Sequence, residues 1–258
     1  MSDDSSKCLF DITGSLAVVT GAARGVGLAA ASALAQQGAS VLMVDVLGEE
    51  LKTSCSALRA AGRKVTALQA SVTDNGDLTR LAEAAAARQA VSVVVNCAGI
   101  MRRTDIDTMT SQDLQDLWEV NVAGSVAVTQ LFLPQMMEQG YGKIINVGSL
   151  GSVIGLERRT AYATTKGAIT QYTVSLASEV GPYGVRANVI APGYVDTDMA
   201  GPYIWGERDR TERLLERIPL RRFATPADLD GAFMFLASAA SDYITGQVLL
   251  IDGGWTAN

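Results

Sequence analysis

The chain has 258 residues, of which 21 are Lys or Arg and 27 are Asp or Glu, giving a formal net charge of −6, and 48% of its residues are apolar. Such a chain can bury a large core and is not disordered, and its acidic balance makes it a poor partner for nucleic acid or an anionic membrane. It contains no histidine, which excludes a histidine general base, a Ser-His-Asp triad and a His-ligated metal.

In chain order, residues 1–8 (MSDDSSKC) are polar with two Asp. They lack the basic and apolar segments of an export signal and read as a flexible tail, with residues 9–258 as a single domain. Strands are expected at LAVVT (16–20), SVLMVD (40–45), KVTALQA (64–70), VSVVVN (91–96), GKIINVG (142–148), VRANVIA (185–191) and QVLLID (247–252). These runs are almost continuously apolar, the pattern of strands buried on both faces in a parallel sheet. Between them the sequence predicts helices over 25–37, 49–61, 75–89, 110–139, 160–180, 207–217 and 226–239. Gly38, Gly62, Gly140 and Gly181 serve as helix stops, and Thr225-Pro226 as a helix start. The alternation predicts an α/β fold with a doubly wound parallel sheet. Residues 194–219, which follow a strand end, read as a mobile flap over a site. No apolar run reaches the roughly 18 residues a membrane helix needs. Cys8, Cys55 and Cys97 lack CxxC spacing, so no zinc cluster is expected and a reduced, cytoplasmic setting fits.

The first strand runs into Thr20-Gly21-Ala22-Ala23-Arg24-Gly25-Val26-Gly27. Glycines let a backbone turn tightly and approach a pyrophosphate, and the following helix offers free N–H groups; a plain tight turn is the other reading of the spacing. Asp45 closes the second strand, where a carboxylate accepts the ribose hydroxyls of adenosine and repels a 2′-phosphate. Arg24 would pair that phosphate instead. With Asp45 present, NAD is favoured over NADP.

Tyr162 and Lys166 lie four residues apart on a predicted helix, hence on one face. Ser149, just past a strand, lies 13 residues before Tyr162. Strand ends of such a sheet are where ligands bind, so the three can meet there.

With TGAARGVG (20–27), NCAG (96–99), Asn121, Ser149, Tyr162/Lys166, PGYVDT (192–197) and ITGQVLLIDGG (244–254) in this order, the chain resembles the short-chain dehydrogenase/reductase family. The resemblance implies a Rossmann-like single domain with a seven-stranded sheet and nicotinamide-dependent oxidoreduction. It implies Tyr162 as general acid/base and Lys166 as the residue that lowers the tyrosine pKa and holds the nicotinamide ribose. Ser149 would orient the substrate oxygen, and Asn121 would position a water relay. Cofactor contacts are implied for Gly21, Arg24, Gly25, Val26, Gly27, Asp45, Ser71, Val72, Asn96, Ala98 and Gly99. Tyr162, Lys166, Pro192, Val195 and Thr197 complete that set. A homotetramer is also expected. A free phenol with pKa near 10 is ionised only about one part in a thousand at pH 7, and a nearby ammonium favours the phenolate. Cys97 stands where the family shows Asn, and its sulfur is expected to pack as a small apolar group.

After NCAGI come Arg102 and Arg103. Either binds a substrate carboxylate or is a solvated loop residue; Arg103 is the chosen carboxylate partner. Two arginines here together with the closing IDGGW resemble the sugar-acid branch of the family, which includes gluconate 5-dehydrogenase and 2-deoxygluconate 3-dehydrogenase; a polyol dehydrogenase is the near alternative. Tyr203 and Trp205 either stack on a sugar, pack the flap or meet a subunit. A 3-oxoacyl thioester reductase is a further reading, opposed by Asp45, and a non-catalytic dinucleotide sensor is opposed by Tyr162 and Lys166.

Overall fold

A computed structural model of the chain describes residues 9–257. The tail expected at 1–8, with Cys8, lies outside the described residues. The strands are β1 Leu16–Thr20, β2 Ser40–Asp45, β3 Val65–Gln69, β4 Val91–Asn96, β5 Gly142–Val147, β6 Val185–Pro192 and β7 Val248–Ile251. Among the described residues they form one seven-stranded sheet, all parallel, in the order β3-β2-β1-β4-β5-β6-β7. The helices are α1 Gly25–Gln36, α2 Gly48–Ala60, α3 Asn75–Ala86, α4 Ser111–Trp118, α5 Ser125–Gln139, α6 Thr160–Val180, α7 Gly201–Ile204, α8 Arg208–Arg217 and α9 Asp230–Ala237.

Strand side chains alternate between two cores, one on each sheet face. Ala17, Val19, Met43, Val93 and Val95 pack with Leu34 of α1, Leu51 of α2 and Phe233 of α9. Leu16, Val18, Leu42 and Val94 pack with Leu81 of α3, Phe132 and Met136 of α5 and Leu176 of α6. Because both faces are covered, every residue of β1 and β5 is buried. That includes Lys143 of β5, whose Nζ reaches Asp242 at 2.8 Å and the Ser241 hydroxyl at 3.1 Å. The edge strands β3 and β7 depart from the expected full burial, each having one neighbour only. Strand order reverses between β1 and β4, so the crevice at their carboxyl ends is the natural ligand position.

Two helix expectations need correction, and one helix end differs in its geometry. The helix expected over 110–139 is interrupted by a π-helical turn at Glu119–Gly124, which buries Asn121, Val122 and Gly124. A Cβ on Gly124 would approach Val72 Cγ2 to 2.5 Å, so this close approach requires glycine. Helix α6 stops at Gly181 as expected, but not by a left-handed reversal there. Gly181 keeps right-handed geometry and opens a 3₁₀ turn, Gly181–Tyr183, and Gly184 at φ 70° makes the reversal. The helix expected over 226–239 begins as a 3₁₀ turn, Pro226–Leu229, capped by Thr225 and Asp228, before α9. Residues 194–219 hold α7 and α8, with Tyr194, Ile204, Leu214 and Ile218 in a third apolar cluster beside Phe223 and Trp255. Among the described residues no helix is long and apolar enough to cross a membrane.

Candidate active site

The glycine loop is built for close approach. Gly21 and Gly25 take φ of 66° and 57°, and a Cβ on Gly21 would stand 2.8 Å from the Ala98 nitrogen. A Cβ on Gly27 would stand 2.0 Å from the Gly21 carbonyl oxygen, so α1 can start here only on glycine. Thr20 Oγ1 accepts the N–H groups of Cys97 and Ala98, both at 3.1 Å, fastening the end of β1 to the segment after β4. Arg24, the N-cap of α1, makes no side-chain capping bond, leaving the first-turn N–H groups without one. Asp45 at the end of β2 accepts the Ala23 N–H at 2.9 Å and the Leu47 N–H at 3.0 Å. The Arg24 guanidinium pairs with Asp198 at 3.3 Å on the exposed surface.

A cleft of about 580 Å³ runs along these strand ends. Its wall includes Gly21, Arg24, Gly25, Val26, Gly27, Asp45, Ser71, Val72, Ala98, Gly99, Arg103, Ser149, Tyr162, Lys166, Pro192, Val195 and Thr197. Every expected site residue except Asn96 and Asn121 therefore lines this one cleft. Asn96 is buried behind it, its amide donating to Thr129 Oγ1 at 2.9 Å and Asn146 Oδ1 at 2.8 Å. Asn121 is turned to the Ile100 peptide. Its Oδ1 accepts the Ile100 N–H at 2.8 Å, and its Nδ2 donates to the Ile100 carbonyl and the Thr165 hydroxyl, both at 3.0 Å. The π turn carries Asn121 to that position, and a Cβ on Gly99 would touch both Asn121 Oδ1 and Lys166 Nζ, at 3.2 and 3.5 Å.

Tyr162 and Lys166 share one face of α6. Lys166 Nζ donates to the Val147 carbonyl at 2.8 Å and stands 5.8 Å from the centre of the Tyr162 ring. Burial brings the Lys166 ammonium down to about 8. Burial also holds the Tyr162 phenol above its ordinary value, against a hydrogen bond from Ser149 and the positive charges of Arg159 and Arg103. The lowering expected from the Lys166 amine is not found: the charges that favour the phenolate are those of Arg159 and Arg103, and desolvation of the charged form outweighs them. Ser149 starts a 3₁₀ turn, its Oγ accepting the Gly151 N–H at 3.1 Å. The Ser152 hydroxyl accepts the Ser149 N–H at 3.1 Å and donates to the Lys166 carbonyl at 3.0 Å, coupling the serine loop to α6. Cys97 lines the cleft as a neutral thiol, pushed up to about 12 by burial.

The two arginines after NCAGI separate. Arg102 faces solvent and pairs with Asp113 at 3.1 Å and Asp116 at 2.7 Å. Arg103 lines the cleft with its Cζ 4.2 Å from the centre of the Tyr203 ring, and its buried Nε has no hydrogen-bond partner. Arg159, which sequence reasoning passed over, lines the cleft too and donates to the Tyr194 hydroxyl at 2.9 Å. A signal for it existed in the second Arg-Arg pair, Arg158-Arg159, just before Tyr162. Arg158 goes to the surface and pairs with Asp105 at 2.8 Å. Tyr203 and Trp205 do not line the cleft. Tyr203 stacks on Tyr194 with centroids 6.5 Å apart, and Trp205 meets Phe223 edge-on at 5.0 Å, which is the packing reading. The sequence presents Thr20 only as the start of the glycine loop and does not single out Ser152, because single hydroxyl residues carry no pattern of their own.

Residues 21–256 match the family model described as Enoyl-(Acyl carrier protein) reductase. The chain is 35% identical over 250 residues to 2-dehydro-3-deoxy-D-gluconate 5-dehydrogenase of Dickeya dadantii, covering 96% of this chain and 98% of that one. It is also 35% identical to gluconate 5-dehydrogenase of Gluconobacter oxydans, over 97% and 98% of the two chains. A 3-oxoacyl-[acyl-carrier-protein] reductase of Thermotoga maritima is 35% identical over 94% of this chain and 98% of its own. Among solved structures, a gluconate 5-dehydrogenase of Burkholderia cenocepacia in complex with NADP and tartrate is similar with a TM-score of 0.92 and 34% identity, covering 97% and 98% of the two chains.

Proposed function

The chain belongs to the short-chain dehydrogenase/reductase family and is an oxidoreductase acting on CH–OH groups; we propose that it interconverts a secondary alcohol and a ketone on a sugar acid of the gluconate type, using NAD(H). The observation that carries this is that Ser149, Tyr162, Lys166 and the unpaired Arg103 line one cleft.

The residues fit a nicotinamide dinucleotide. The tight glycine loop and uncapped first turn of α1 would hold the pyrophosphate, and Asp45 the adenosine ribose. Ser71 and Val72 would meet the adenine, Lys166 the nicotinamide ribose, and Pro192, Val195 and Thr197 the carboxamide. When bound, the cofactor accepts a hydride from the alcohol carbon, or returns one to the ketone. Tyr162 handles the matching proton: its phenolate takes the alcohol O–H proton as the C=O bond forms, and the neutral phenol donates it in reduction. Ser149 orients the reacting oxygen through the hydroxyl that also bonds Tyr162. Arg103 binds the carboxylate by a charge-assisted pair.

The Asp45 carboxylate supports NAD, although NADP is the cofactor named for the similar Burkholderia structure. Reduction of a 3-oxoacyl thioester is a second reading, favoured by the Thermotoga relative. A homotetramer belongs to the proposal, supported by exposed Tyr243 and Leu249 near the β7 edge, and light scattering after gel filtration measures it. Tyr162→Phe is the direct test of the chemistry. With folding and cofactor binding intact, kcat should fall by about 100-fold or more; near-normal turnover would falsify the acid/base role. Turnover of 3-oxoacyl thioesters in preference to gluconate-type acids would select the second reading.

A further inference from the structure

Three guanidinium groups gather around one tyrosine ring, and two of them line the cleft. The Cζ atoms of Arg103, Arg210 and Arg159 lie 4.2, 4.7 and 5.1 Å from the centre of the Tyr203 ring. Their charge balance differs. Arg210 is paired with Glu207. Arg103 and Arg159 have no carboxylate partner among the described residues, and both line the cleft. Acidic residues on that wall are Asp45, engaged by backbone N–H groups at the glycine-loop end, and Asp198, paired with Arg24.

Arg159 is only 8% exposed, and it is held in place: one Nη donates to the Tyr194 hydroxyl, and its Cζ lies 5.4 Å from the Tyr194 ring centre. Arg103, by contrast, leans on Tyr203 and leaves its buried Nε unpartnered. Burial first, and then the charge of Arg159, disfavour the charged form of Arg103. Like charges held on one aromatic ring, one of them buried and the other half-buried, are costly unless an anion compensates them. A single carboxylate neutralises one of the two and leaves the other uncompensated.

We propose that Arg159 is a second anion-binding residue and that the substrate is a polyhydroxy dicarboxylate, one carboxylate on Arg103 and the other on Arg159. This rests on the sugar-acid reading above and extends it from one charge to two.

Binding without turnover provides the test. With the protein loaded with NADH, alcohols bind and cannot be oxidised, so calorimetry with D-glucarate, D-gluconate and D-glucitol reports affinity alone. Glucarate should bind about 10- to 100-fold more tightly than gluconate, the range of one charge-assisted pair. Arg159→Gln should lose that factor for glucarate and leave gluconate within about threefold, while Arg159→Lys keeps the preference for the diacid. Equal affinity of the unaltered protein for glucarate and gluconate overturns the proposal, as does an Arg159→Gln protein that loses both acids alike. The sugar-acid reading is judged separately, by whether gluconate binds better than glucitol and whether Arg103→Gln removes that difference.

Discussion

Replacing Asn121 with Ala separates two jobs for this side chain, a proton-path residue and a backbone clamp. At 1% exposure Asn121 makes three hydrogen bonds, two of them to the Ile100 peptide. Thr165 keeps the Tyr162 carbonyl as an acceptor at 2.8 Å, so the loss falls on the N–H and C=O of Ile100. An unpaired buried donor costs about 1–3 kcal/mol, and the carbonyl less because of its second lone pair. Ile100 is half-buried, so water recovers part of this, while the deleted amide leaves a small void; the net is about 2–3 kcal/mol. For a chain of this size each kcal/mol shifts Tm by about 2–4 °C, so Tm should fall by about 4–12 °C. Ile100 also forms part of the cleft wall, so NADH affinity should drop as well. Differential scanning calorimetry and NADH fluorescence titration measure the two effects. An Asn121→Ala protein with unchanged Tm and NADH affinity but collapsed kcat would refute the clamp and leave only the proton path.

The geometry at the end of α6 predicts opposite effects for two glycines. Gly184→Ala puts a Cβ 2.1 Å from the Gly140 carbonyl oxygen at φ 70° and should cost about 2–4 kcal/mol in urea unfolding, whereas Gly181→Ala meets nothing within 4 Å and should stabilise by about 0.4–1 kcal/mol. The reverse order would move the left-handed reversal from Gly184 to Gly181. Asp45→Asn keeps an acceptor but removes the charge, so the ratio of kcat/KM for NADP over NAD should rise about tenfold or more; an unchanged ratio would show that Asp45 does not discriminate. Lys166 should titrate near 8 in cofactor-free protein followed by NMR, against an ordinary value of 10.5. Its folded pKa is the lower one, so between those values the unfolded chain binds more protons and this group makes folding more favourable as pH rises. A midpoint at the ordinary value would contradict the desolvation argument.

The sequence alone determined what depends on neighbours along the chain. Strand positions were legible to within a residue or so because burial on both faces forces runs such as LAVVT and GKIINV. The glycine loop was legible because a tight turn into a helix excludes a Cβ at Gly21 and Gly27, and the Tyr162/Lys166 pair because a four-residue spacing places both on one helix face. The interruption of the 110–139 helix was not legible, since a π turn keeps the apolar helical pattern and adds only a local widening. Nor was the division of labour in each Arg-Arg pair. Arg102 and Arg158 find aspartates brought from elsewhere, Asp113 and Asp116 for one and Asp105 for the other, while Arg103 and Arg159 are left facing the cleft. Thr20 holds the segment after β4 across 78 positions of sequence, from its own hydroxyl to the Ala98 amide. Such contacts follow from the order in which parallel strands assemble, and no local pattern encodes which distant partner a side chain will meet. The candidate site residues were therefore written in the sequence, and the tertiary structure decided which charges remain unpaired along the cleft.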